Sequence, residues 1–399
     1  MRHILLTNDF PPKVGGIQSY LWELWRRLPP DDVLVYTSAY SGARLWDAEQ
    51  KFKVVRAREP VLLPQPYLAH RVRALAREWG AGAVVIDPAL PLGLVGPSLG
   101  LPYAVVLHGA EVTVPGRLPV SRQLMARALS RASLLIAAGG YPEAEARRAM
   151  GQPVGTAGAA PGVLAPPAVR VPPGVDTARF RPLAHIDRAA ARAHFGLPPT
   201  GPLVASVSRL VPRKGMDTLI EAASSLSGQF PGLSVAIAGA GRDRHRLERL
   251  AASAPVPVRL MGKLDDSELP KFYACADVFA LCCRSRWWGL EQEGFGIVLV
   301  EAAACGTPCV TLDSGGAAEA VDHGVTGLVA DVPHRPGGLH ASDRRGQVGS
   351  VAAALAALLS GPAMAARMGA AGRRRVEEEL SYDVLAQRLA EALEGMGPR

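Results

Sequence analysis

The chain has 399 residues, of which 48% are hydrophobic and 20% are charged. This length exceeds what one ordinary core supports, so two domains are predicted, and the composition argues against a disordered chain. The formal net charge of +8 favours anionic partners such as nucleotides or acidic lipid surfaces. Because the sequence contains no basic stripe with interleaved aromatic residues, nucleic acid is disfavoured as a partner.

Targeting segments and cysteines point to the same compartment. The apolar run at residues 4–6 is too short for a signal peptide, and no stretch approaches the ~18 apolar residues of a membrane span. The five cysteines form no CxxC pair and no zinc-type cluster with histidine. We therefore expect a cytoplasmic protein with reduced, buried thiols; a metal site is the weaker alternative.

Short β-type runs alternate with helical patterns from the N-terminus onward. Residues 17–28 have the apolar spacing of an amphipathic helix, and residues 351–359 indicate an alanine-rich core helix. Residues 151–174 are dense in glycine, alanine and proline, which indicates an irregular connector that leads into a domain boundary. Strands are predicted at residues 3–7, 33–37, 53–57, 83–87, 103–107, 133–137, 203–208, 234–239, 258–262, 278–282, 308–312 and 327–330.

This alternation predicts an α/β fold with one doubly wound parallel sheet in each half of the chain. The predicted domains are residues 1–170 and residues 171–379, and a helix within residues 380–399 is predicted to cross back to the first domain. Ligands of such sheets bind beyond the carboxyl ends of the strands. The turns that follow strands are therefore where chemistry is expected.

The first such turn contains a glycine pair. Gly15 and Gly16 precede the helix that follows the first strand. Without side chains they allow a ligand to approach the backbone, and the helix N-terminus offers free N–H groups to an anion. A helix entry with two turn glycines is the alternative interpretation. The pair is not the GxGxxG pattern, which argues against a nicotinamide-dependent oxidoreductase.

Two cations flank a strand-to-helix turn in the second half of the chain. Arg209 and Lys214 lie in SRLVPRKG, residues 208–215. Arginine binds phosphate oxygens through two N–H groups, and lysine adds a compact charge at the start of the next helix. Two solvated surface cations are the alternative. The pattern favours phosphate binding, because the strand, proline and glycine hold both residues at a strand's carboxyl end.

Two glutamates lie on either side of a GFG turn, residues 294–296. Glu301 is inside an apolar segment, where a carboxylate is costly to bury unless it accepts hydrogen bonds; a pair of ribose hydroxyls is a suitable donor set. Glu293 precedes backbone N–H groups that would point to hydroxyl or phosphate oxygens. The alternatives are an arginine partner for Glu301 and plain solvent exposure for Glu293.

Two more turns follow strands. His108 and Gly109 end the strand at 103–107, and Ser314–Gly315–Gly316 follows the strand at 308–312. A lone histidine is more often structural, but His108 lies where the ligand cleft is expected. The serine and two glycines precede a helix and predict a further anion niche lined by N–H groups.

Together these motifs resemble the retaining family 4 glycosyltransferases of GT-B fold, over nearly the whole chain. The resemblance rests on the glycine pair, the HG dipeptide at 108–109, PPGVDTARFRP at 172–182, SRLVPRKG, the two glutamates with seven residues between them, and SGGAAEAV at 314–321. Within this family the chain is similar to the actinobacterial phosphatidylinositol monomannoside α-1,6-mannosyltransferases, through NDFPPKVGGIQSYL, SRLVPRKG and CRSRWWGLEQEG. The resemblance implies two Rossmann-like domains that face a central cleft. The N-terminal domain would bind the acceptor and the C-terminal domain the nucleotide sugar.

The resemblance also implies which residues hold the donor. Arg209 and Lys214 would hold the nucleotide diphosphate, with help from the backbone of Gly15 and Gly16. Glu301 would take the ribose hydroxyls.

The remaining implied contacts concern the sugar and the base. Glu293 would hold the donor sugar, and His108 would contact it from the N-terminal domain. Arg259 and Lys263 would lie near the base. The backbone N–H groups implied in sugar binding are those of Gly294, Phe295, Gly296 and Ile297. The predicted catalytic residues are His108, Arg209, Lys214 and Glu293.

The expected reaction is transfer of mannose from GDP-mannose to a phosphatidylinositol mannoside glycolipid, with retention of configuration. The sequence has no Asp-x-Asp motif for a divalent metal, so no metal or cofactor is expected, and positive side chains with helix N-termini would neutralise the departing diphosphate. One alternative is a UDP-sugar-dependent transferase of glycolipid or surface polysaccharide synthesis. Another is a non-catalytic nucleotide-sugar-binding protein, which would not need the paired glutamates.

The acceptor side carries a basic amphipathic pattern at residues 117–135. Its members are Arg122, Arg127 and Arg131 with Leu118, Leu124, Met125, Ala128 and Leu129. The resemblance favours contact with an acidic membrane, at the inner face of the plasma membrane; a packed helix with a solvated face is the alternative. Two segments depart from the family pattern. GGYP at 139–142 stands where relatives tend to have serine, which affects acceptor contacts, and the loop at 334–350 is longer than expected.

Overall fold

The structure is a computed structural model that describes residues 1–152, 165–286, 291–332 and 344–396. It contains two compact units. The first consists of Met1–Pro173 and Tyr382–Arg399, and the second of Gly174–Ser381. The sequence-based boundaries lie at 170/171 and 379/380.

A parallel sheet of seven strands forms the centre of the first unit. Its strands are β1 (His3–Thr7), β2 (Val33–Thr37), β3 (Lys53–Arg56), β4 (Ala83–Asp87), β5 (Tyr103–Leu107), β6 (Leu134–Ala137) and β7 (Ala168–Arg170). They are ordered β3-β2-β1-β4-β5-β6-β7. The helices of this unit are α1 (Gly16–Trp25), α2 (Ala43–Ala48), α3 (Pro66–Trp79), α4 (Ala110–Gly116), α5 (Pro119–Leu129) and α6 (Gly140–Ala149).

The central strands of this sheet are buried on both faces. In β1, Ile4 and Leu6 pack into one apolar core, and Leu5 packs into the other. Successive side chains of a strand point to opposite faces, so a strand covered on both sides is apolar at every position. This explains the uninterrupted apolar runs that predicted these strands.

The C-terminal helix α14 (Tyr382–Glu394) belongs to the first unit. Its Leu385 and Leu389 are fully buried in the same core as Leu21 and Leu24 of α1. The chain therefore ends on the unit in which it begins.

The presence of strand β7 shows that one prediction, an irregular connector over residues 151–174, was wrong in part. It lies within residues 151–174, which the sequence indicates to be irregular throughout; of these, 153–164 lie outside the described residues. Ala168–Arg170 pairs in parallel with residues 135–137 of β6. A three-residue edge strand depends on its neighbour for hydrogen bonds and is too short to show an apolar period.

The second unit contains a parallel sheet of six strands. Its strands are β8 (Leu203–Val207), β9 (Ser234–Ala238), β10 (Val258–Gly262), β11 (Val278–Leu281), β12 (Cys309–Leu312) and β13 (Gly327–Ala330), in the order β10-β9-β8-β11-β12-β13. Its helices are α7 (His185–His194), α8 (Met216–Ser225), α9 (Arg244–Ala252), α10 (Leu269–Ala274), α11 (Ile297–Ala304), α12 (Arg344–Ser360) and α13 (Pro362–Arg375). The doubly wound α/β prediction is confirmed, and each predicted strand is present with its ends within one residue.

Helix α12 corrects a second prediction. Residues 344–350, predicted as part of a long loop, form its first two turns, while residues 333–343 lie outside the described residues. The alanine-rich stretch at 351–359 is in this helix, with Val351, Leu355 and Leu358 buried. All five cysteines are free and buried, as predicted.

No single helix among the described residues has both the length and the hydropathy of a membrane span. The segments Arg344–Ser360 and Pro362–Leu380 have both only when taken together, and the chain bends by 101° between them.

Candidate active site

Each sheet has one point at which the strand order reverses. In the second unit β8 pairs with β9 on one side and with β11 on the other. The sheet therefore extends from β8 through β9 and β10 in one direction, and through β11, β12 and β13 in the other. Open α/β sheets bind ligands at this switch point, beyond the carboxyl ends of the strands. Arg209 follows β8 at this point, and Cys283 and Arg284 follow β11.

Arg209 is the exposed cation of this site. Its guanidinium has no hydrogen-bond or ion-pair partner within the part of the chain that the structure describes. It lies two residues beyond the end of β8. An unpaired arginine held at a strand end can bind an anion without first breaking an internal ion pair.

The turn after Arg209 is fixed by close backbone packing. Gly215 has φ 68°, and a Cβ atom there would lie 1.8 Å from the carbonyl oxygen of Cys282. Only glycine fits, because the left-handed conformation and the close approach both exclude a side chain. This contact holds Lys214 and the start of α8 against the end of β11.

Lys214 and Glu293 form an ion pair. The Lys214 Nζ lies 2.6 Å from Glu293 Oε2, and Arg213 Nη1 lies 2.7 Å from the same oxygen. The Cys283 thiol is 3.6 Å from it. Burial alone would raise the pKa of Glu293, but the Lys214 and Arg213 charges outweigh burial and hold that pKa below its usual value. The site therefore contains an ionised carboxylate with two cations beside it.

The sequence predicts Lys214 and Glu293 for different parts of the donor, and the structure brings them into direct contact. Arg213 was not among the predicted site residues. Its adjacency to Lys214 in the PRKG turn is the signal that could have identified it. The side chains of residues 287–290, in the CRSRWWGLEQEG motif, lie outside the described residues.

The GFG turn places the start of α11 beside Glu293. Gly296 has φ 83° and directly precedes α11, whose first residue is Ile297. The turn is supported by the segment that follows β12: the Gly316 N–H donates to the Glu293 carbonyl at 2.9 Å. The predicted anion niche at Ser314–Gly316 needs correction on this point, because that N–H already has an acceptor within the protein.

Glu301 projects from α11 and has a tyrosine partner, not an arginine. The Tyr273 hydroxyl donates to Glu301 Oε2 at 2.6 Å, and Tyr273 is completely buried. Burial raises the pKa of Glu301 to about 7, and the tyrosine hydrogen bond opposes that rise. Tyr273 was missed because a tyrosine within an apolar helix resembles any core residue.

The structure separates the two residues predicted near the base. Lys263 is exposed directly after the carboxyl end of β10. Arg259 is near the beginning of β10, and its guanidinium donates to the Gly196 carbonyl in the segment between α7 and β8. Helix-to-strand connections lie at the amino ends of the strands, so the structure does not bring Arg259 to the edge that contains Arg209.

A buried aspartate anchors the beginning of α8. Asp217 is 1% exposed, and its Oδ2 lies 3.0 Å from Arg284, 3.0 Å from Arg246 and 3.1 Å from Arg344. The Arg284 backbone N–H also donates to the Arg213 carbonyl. This network ties the turn that carries the site cations to the segment after β11.

The switch point of the first unit lies between β1 and β4. Gly15 and Gly16 follow β1 and begin α1, whose N-terminus has no side-chain cap. The loop before them is closed by Asp9, whose Oδ1 accepts from Lys13 at 2.9 Å and from Gln18 at 2.6 Å. The loop thus leaves the first N–H groups of α1 uncapped, as an anion site requires.

His108 also lies at this edge, after β5. Its Nε2 is 2.6 Å from Asp87 Oδ1, and its backbone N–H donates to the Glu111 carboxylate. Burial alone would lower the pKa of His108, but the negative charge of Asp87 outweighs it and the pKa is raised. The structure therefore places Gly15, Gly16 and His108 at one end of a single sheet.

Among the residues described, no three His, Cys, Asp or Glu side chains are grouped so that they could hold a metal ion. Metal independence itself stays a prediction.

Two doubly wound parallel sheets, one in each unit, are the architecture of the GT-B glycosyltransferases. The model for "Glycosyl transferases group 1" matches residues 187–375. The chain is 35% identical over 397 residues to the GDP-mannose-dependent monoacylated alpha-(1-6)-phosphatidylinositol monomannoside mannosyltransferase of Corynebacterium glutamicum, covering 98% of this chain and 97% of that protein. It is 37% identical over 406 residues to the GDP-mannose-dependent alpha-(1-6)-phosphatidylinositol monomannoside mannosyltransferase of Mycobacterium tuberculosis, covering 99% and 98%. The chain belongs to the group 1 glycosyltransferase family and is a glycosyltransferase.

Solved structures share the fold. Anabaena Alr3699/HepE in complex with UDP aligns with TM-score 0.76 at 20% identity, over 99% of this chain and all of that one. Sucrose-phosphate synthase from Thermosynechococcus elongatus aligns with TM-score 0.73 at 22% identity, over 99% of each chain. At sequence identities of 20% and 22%, the similarity to these two structures shows a shared fold and no more.

Proposed function

We propose that this protein transfers mannose from GDP-mannose to a phosphatidylinositol mannoside, with retention of anomeric configuration and without a metal ion. Similarity along the whole chain to two mannosyltransferases of this substrate class supports the choice of substrates. The observation that carries the chemistry is the charge arrangement at the switch point of the second unit. There Arg209, whose guanidinium has no partner among the described residues, lies on the same edge as the Lys214–Glu293 ion pair.

The negative charge that the enzyme must stabilise in this reaction develops on the departing diphosphate. The bond between the anomeric carbon and the phosphate oxygen breaks, and its electron pair stays on that oxygen. Arg209 and Lys214 are the cations that stabilise this charge. The ion pair with Glu293 orients Lys214 before the reaction, and the end of β8 fixes the backbone position of Arg209. The acceptor hydroxyl forms the new bond to the anomeric carbon from the same face and transfers its proton to the leaving phosphate.

Glu293 positions the sugar in this proposal. Because two cations keep it ionised, its carboxylate accepts hydrogen bonds from sugar hydroxyls. The N–H groups at the start of α11 follow it directly and supply donors for further sugar or phosphate oxygens. Glu301, eight residues further on, accepts the ribose hydroxyls.

A ligand panel followed by transfer assays tests the proposal. Thermal unfolding is measured with GDP, UDP and ADP, and the sugar nucleotide of the stabilising base is then incubated with a phosphatidylinositol mannoside. Stabilisation by GDP and mannosyl transfer that persists in EDTA are expected. Stabilisation by UDP alone would support a UDP-sugar transferase, nucleotide binding without transfer would support a binding protein, and loss of transfer in EDTA would refute metal independence.

We also propose that an exposed patch on the first unit contacts acidic membrane surface. The patch consists of Val114, Leu118, Val120 and Leu124, which are 41, 57, 72 and 41% exposed. Val120 and Leu124 share one face of α5, because residues four apart are neighbours on a helix. Arg122 and Arg127 are exposed on the same helix, and Arg131 is exposed two residues after its end. Exposed apolar side chains together with basic residues are typical of surfaces that bind acidic bilayers.

In the structure, fewer of the apolar residues predicted here are exposed than the amphipathic pattern implied. Met125, Ala128 and Leu129 are buried, and Met125 and Leu129 belong to an apolar core of the first unit, so these side chains are not available to a membrane. Only Leu118 and Leu124 of the predicted apolar set remain exposed.

Co-sedimentation with vesicles of acidic phospholipid at low salt tests this patch. Val120→Asp is expected to reduce binding, because it adds a negative charge to the apolar surface. Val325→Asp is the matched control, since Val325 is 52% exposed on the second unit. Equal loss in both variants, or absence of binding by the unaltered protein, would reject the patch.

A further inference from the structure

The His108 side chain has two contacts, and its backbone has a third. Its Nε2 contacts Asp87 Oδ1 at 2.6 Å, and the Tyr20 ring packs at 83° to the imidazole with centroids 5.4 Å apart. Tyr20 is itself fixed, because its hydroxyl donates to the Val171 carbonyl at 2.6 Å. The Glu111 carboxylate accepts the His108 backbone N–H. The ring therefore has one orientation before any ligand arrives.

Asp87 is completely buried, and both of its oxygens have partners. Oδ2 accepts the Thr7 hydroxyl at 2.7 Å, and that hydroxyl oxygen in turn accepts the Asp9 N–H at 2.8 Å. Oδ1 is left for His108. A buried carboxylate with this geometry is costly to maintain, so its placement at the switch point calls for an explanation beyond packing.

This contact determines the histidine tautomer. An ionised carboxylate only accepts hydrogen bonds, so the proton of neutral His108 resides on Nε2. Nδ1 then carries a lone pair, and it has no hydrogen-bond partner among the residues described. The neutral ring thus presents an acceptor at Nδ1, and the charged ring would present a donor there.

We propose that Asp87 is a positioning residue, which keeps His108 Nδ1 as the acceptor for a hydroxyl of the donor sugar. The inference rests on the proposed function and on the sugar contact that the family resemblance implies for His108. The anomeric carbon becomes cation-like during transfer, so a positively charged ring beside it would oppose the reaction. Neutral His108 is therefore the active form.

The groups that face His108 make its protonation sensitive to pH. Asp87 on β4, Glu111 on α4 and Asp9 after β1 all favour the charged ring and raise its pKa, while Tyr20 on α1 offers a neutral ring. Because the neutral form is active, kcat/KM should fall as the pH decreases through this raised pKa. Asp87→Asn keeps the shape but removes one negative charge, so this decline should move to lower pH.

A double-mutant cycle in the full-length protein separates positioning from folding. Asp87→Asn and His108→Gln should each lower kcat/KM for mannosyl transfer about 10- to 100-fold at neutral pH, the range observed when a partner that orients a histidine is removed. In the His108→Gln background, Asp87→Asn should cause no further loss, because Asp87 acts only through His108. Losses that multiply in the double variant, or an Asp87→Asn variant as active as the unaltered protein, would overturn the proposal.

Nitrogen NMR of the histidine ring gives a test that needs no substrate. The spectrum of the unaltered protein should show the Nε2–H tautomer for His108, and Asp87→Asn should lower the pKa of that ring. A mixed or Nδ1–H tautomer in the unaltered protein would overturn the inference. If GDP-mannose supports no transfer, the proposed function fails, while this measurement still decides whether Asp87 sets the tautomer.

Discussion

The Tyr273–Glu301 contact allows a quantitative prediction about nucleotide binding. Glu301 has a pKa of about 7, so about half of it is ionised at neutral pH. In the proposed function, the ionised carboxylate accepts the ribose hydroxyls. Binding of GDP by the unaltered protein should therefore weaken as the pH falls below about 7 and level off above it.

Tyr273→Phe removes the hydroxyl that donates to Glu301 at 2.6 Å and changes little else in a fully buried position. A hydrogen bond to a charged group contributes about 1.5–3 kcal/mol. If this contribution is lost entirely from the ionised form, the ratio of ionised to protonated Glu301 falls about 10- to 100-fold. From a starting point near one half, the ionised fraction at pH 7 falls about 5- to 50-fold, and the Kd for GDP should rise by the same factor.

Isothermal titration calorimetry with GDP between pH 6 and 9 measures this effect. The loss of affinity should shrink at pH 9, where the variant carboxylate ionises again. Tyr103→Phe is the matched control, because Tyr103 is a buried tyrosine whose hydroxyl donates to the Ala128 carbonyl at 2.6 Å in the other unit. Its Kd should match that of the unaltered protein.

Two results would refute this reasoning. An unchanged Kd at pH 7 would show that the tyrosine does not control Glu301. A loss that also affects 2′,3′-dideoxy-GDP would show that Glu301 does not act through the ribose hydroxyls, since that ligand lacks both of them.

Two further predictions concern the second unit. Arg209→Ala and Lys214→Ala should each lower turnover about 10²–10³-fold, the cost of losing one preorganised charge stabiliser, and steady-state kinetics at saturating donor that match the unaltered protein would reject the assignment. Asp217→Asn should lower the free energy of unfolding by about 3 kcal/mol in urea titrations at pH 7, because it removes a buried charge that lies 3.0 Å from Arg284. The arginines hold the pKa of Asp217 below its usual value, so this stabilisation exists above the unfolded-state pKa and is lost as the pH falls through the folded-state pKa. The ion-pair explanation would be contradicted if the difference in unfolding free energy between Asp217→Asn and the unaltered protein stayed constant down to that acidic range.

Most of the fold could be predicted from local pattern. Central strands such as β1 and β4 are apolar at every position because helices cover both faces of the sheet, and this makes them conspicuous in the sequence. Strand β7 could not be found in this way, since its three residues depend on pairing with β6. The first turns of α12 were missed because RRGQVGS contains little apolar spacing and its helix is stabilised by the packing of later residues.

The candidate site was predictable where function requires a residue type next to a turn. Arg209, Lys214, Glu293 and Glu301 were predicted as site residues because a charged side chain that follows a strand or interrupts an apolar segment is unusual. Their supporting residues carry no such signal. Tyr273 resembles a core residue until its hydroxyl is seen beside Glu301.

Composition, apolar period and turn chemistry by themselves determined that this protein has two doubly wound sheets with cations and glycines at the ends of strands. Only the tertiary structure decided the partners: Lys214 contacts Glu293 across 79 residues of sequence, and Thr7 contacts Asp87 across 80. The physical reason is that periodicity reports which face of an element is buried, whereas hydrogen bonds depend on which strand ends become neighbours. That neighbourhood follows from strand order, which places residues distant along the chain at one switch point.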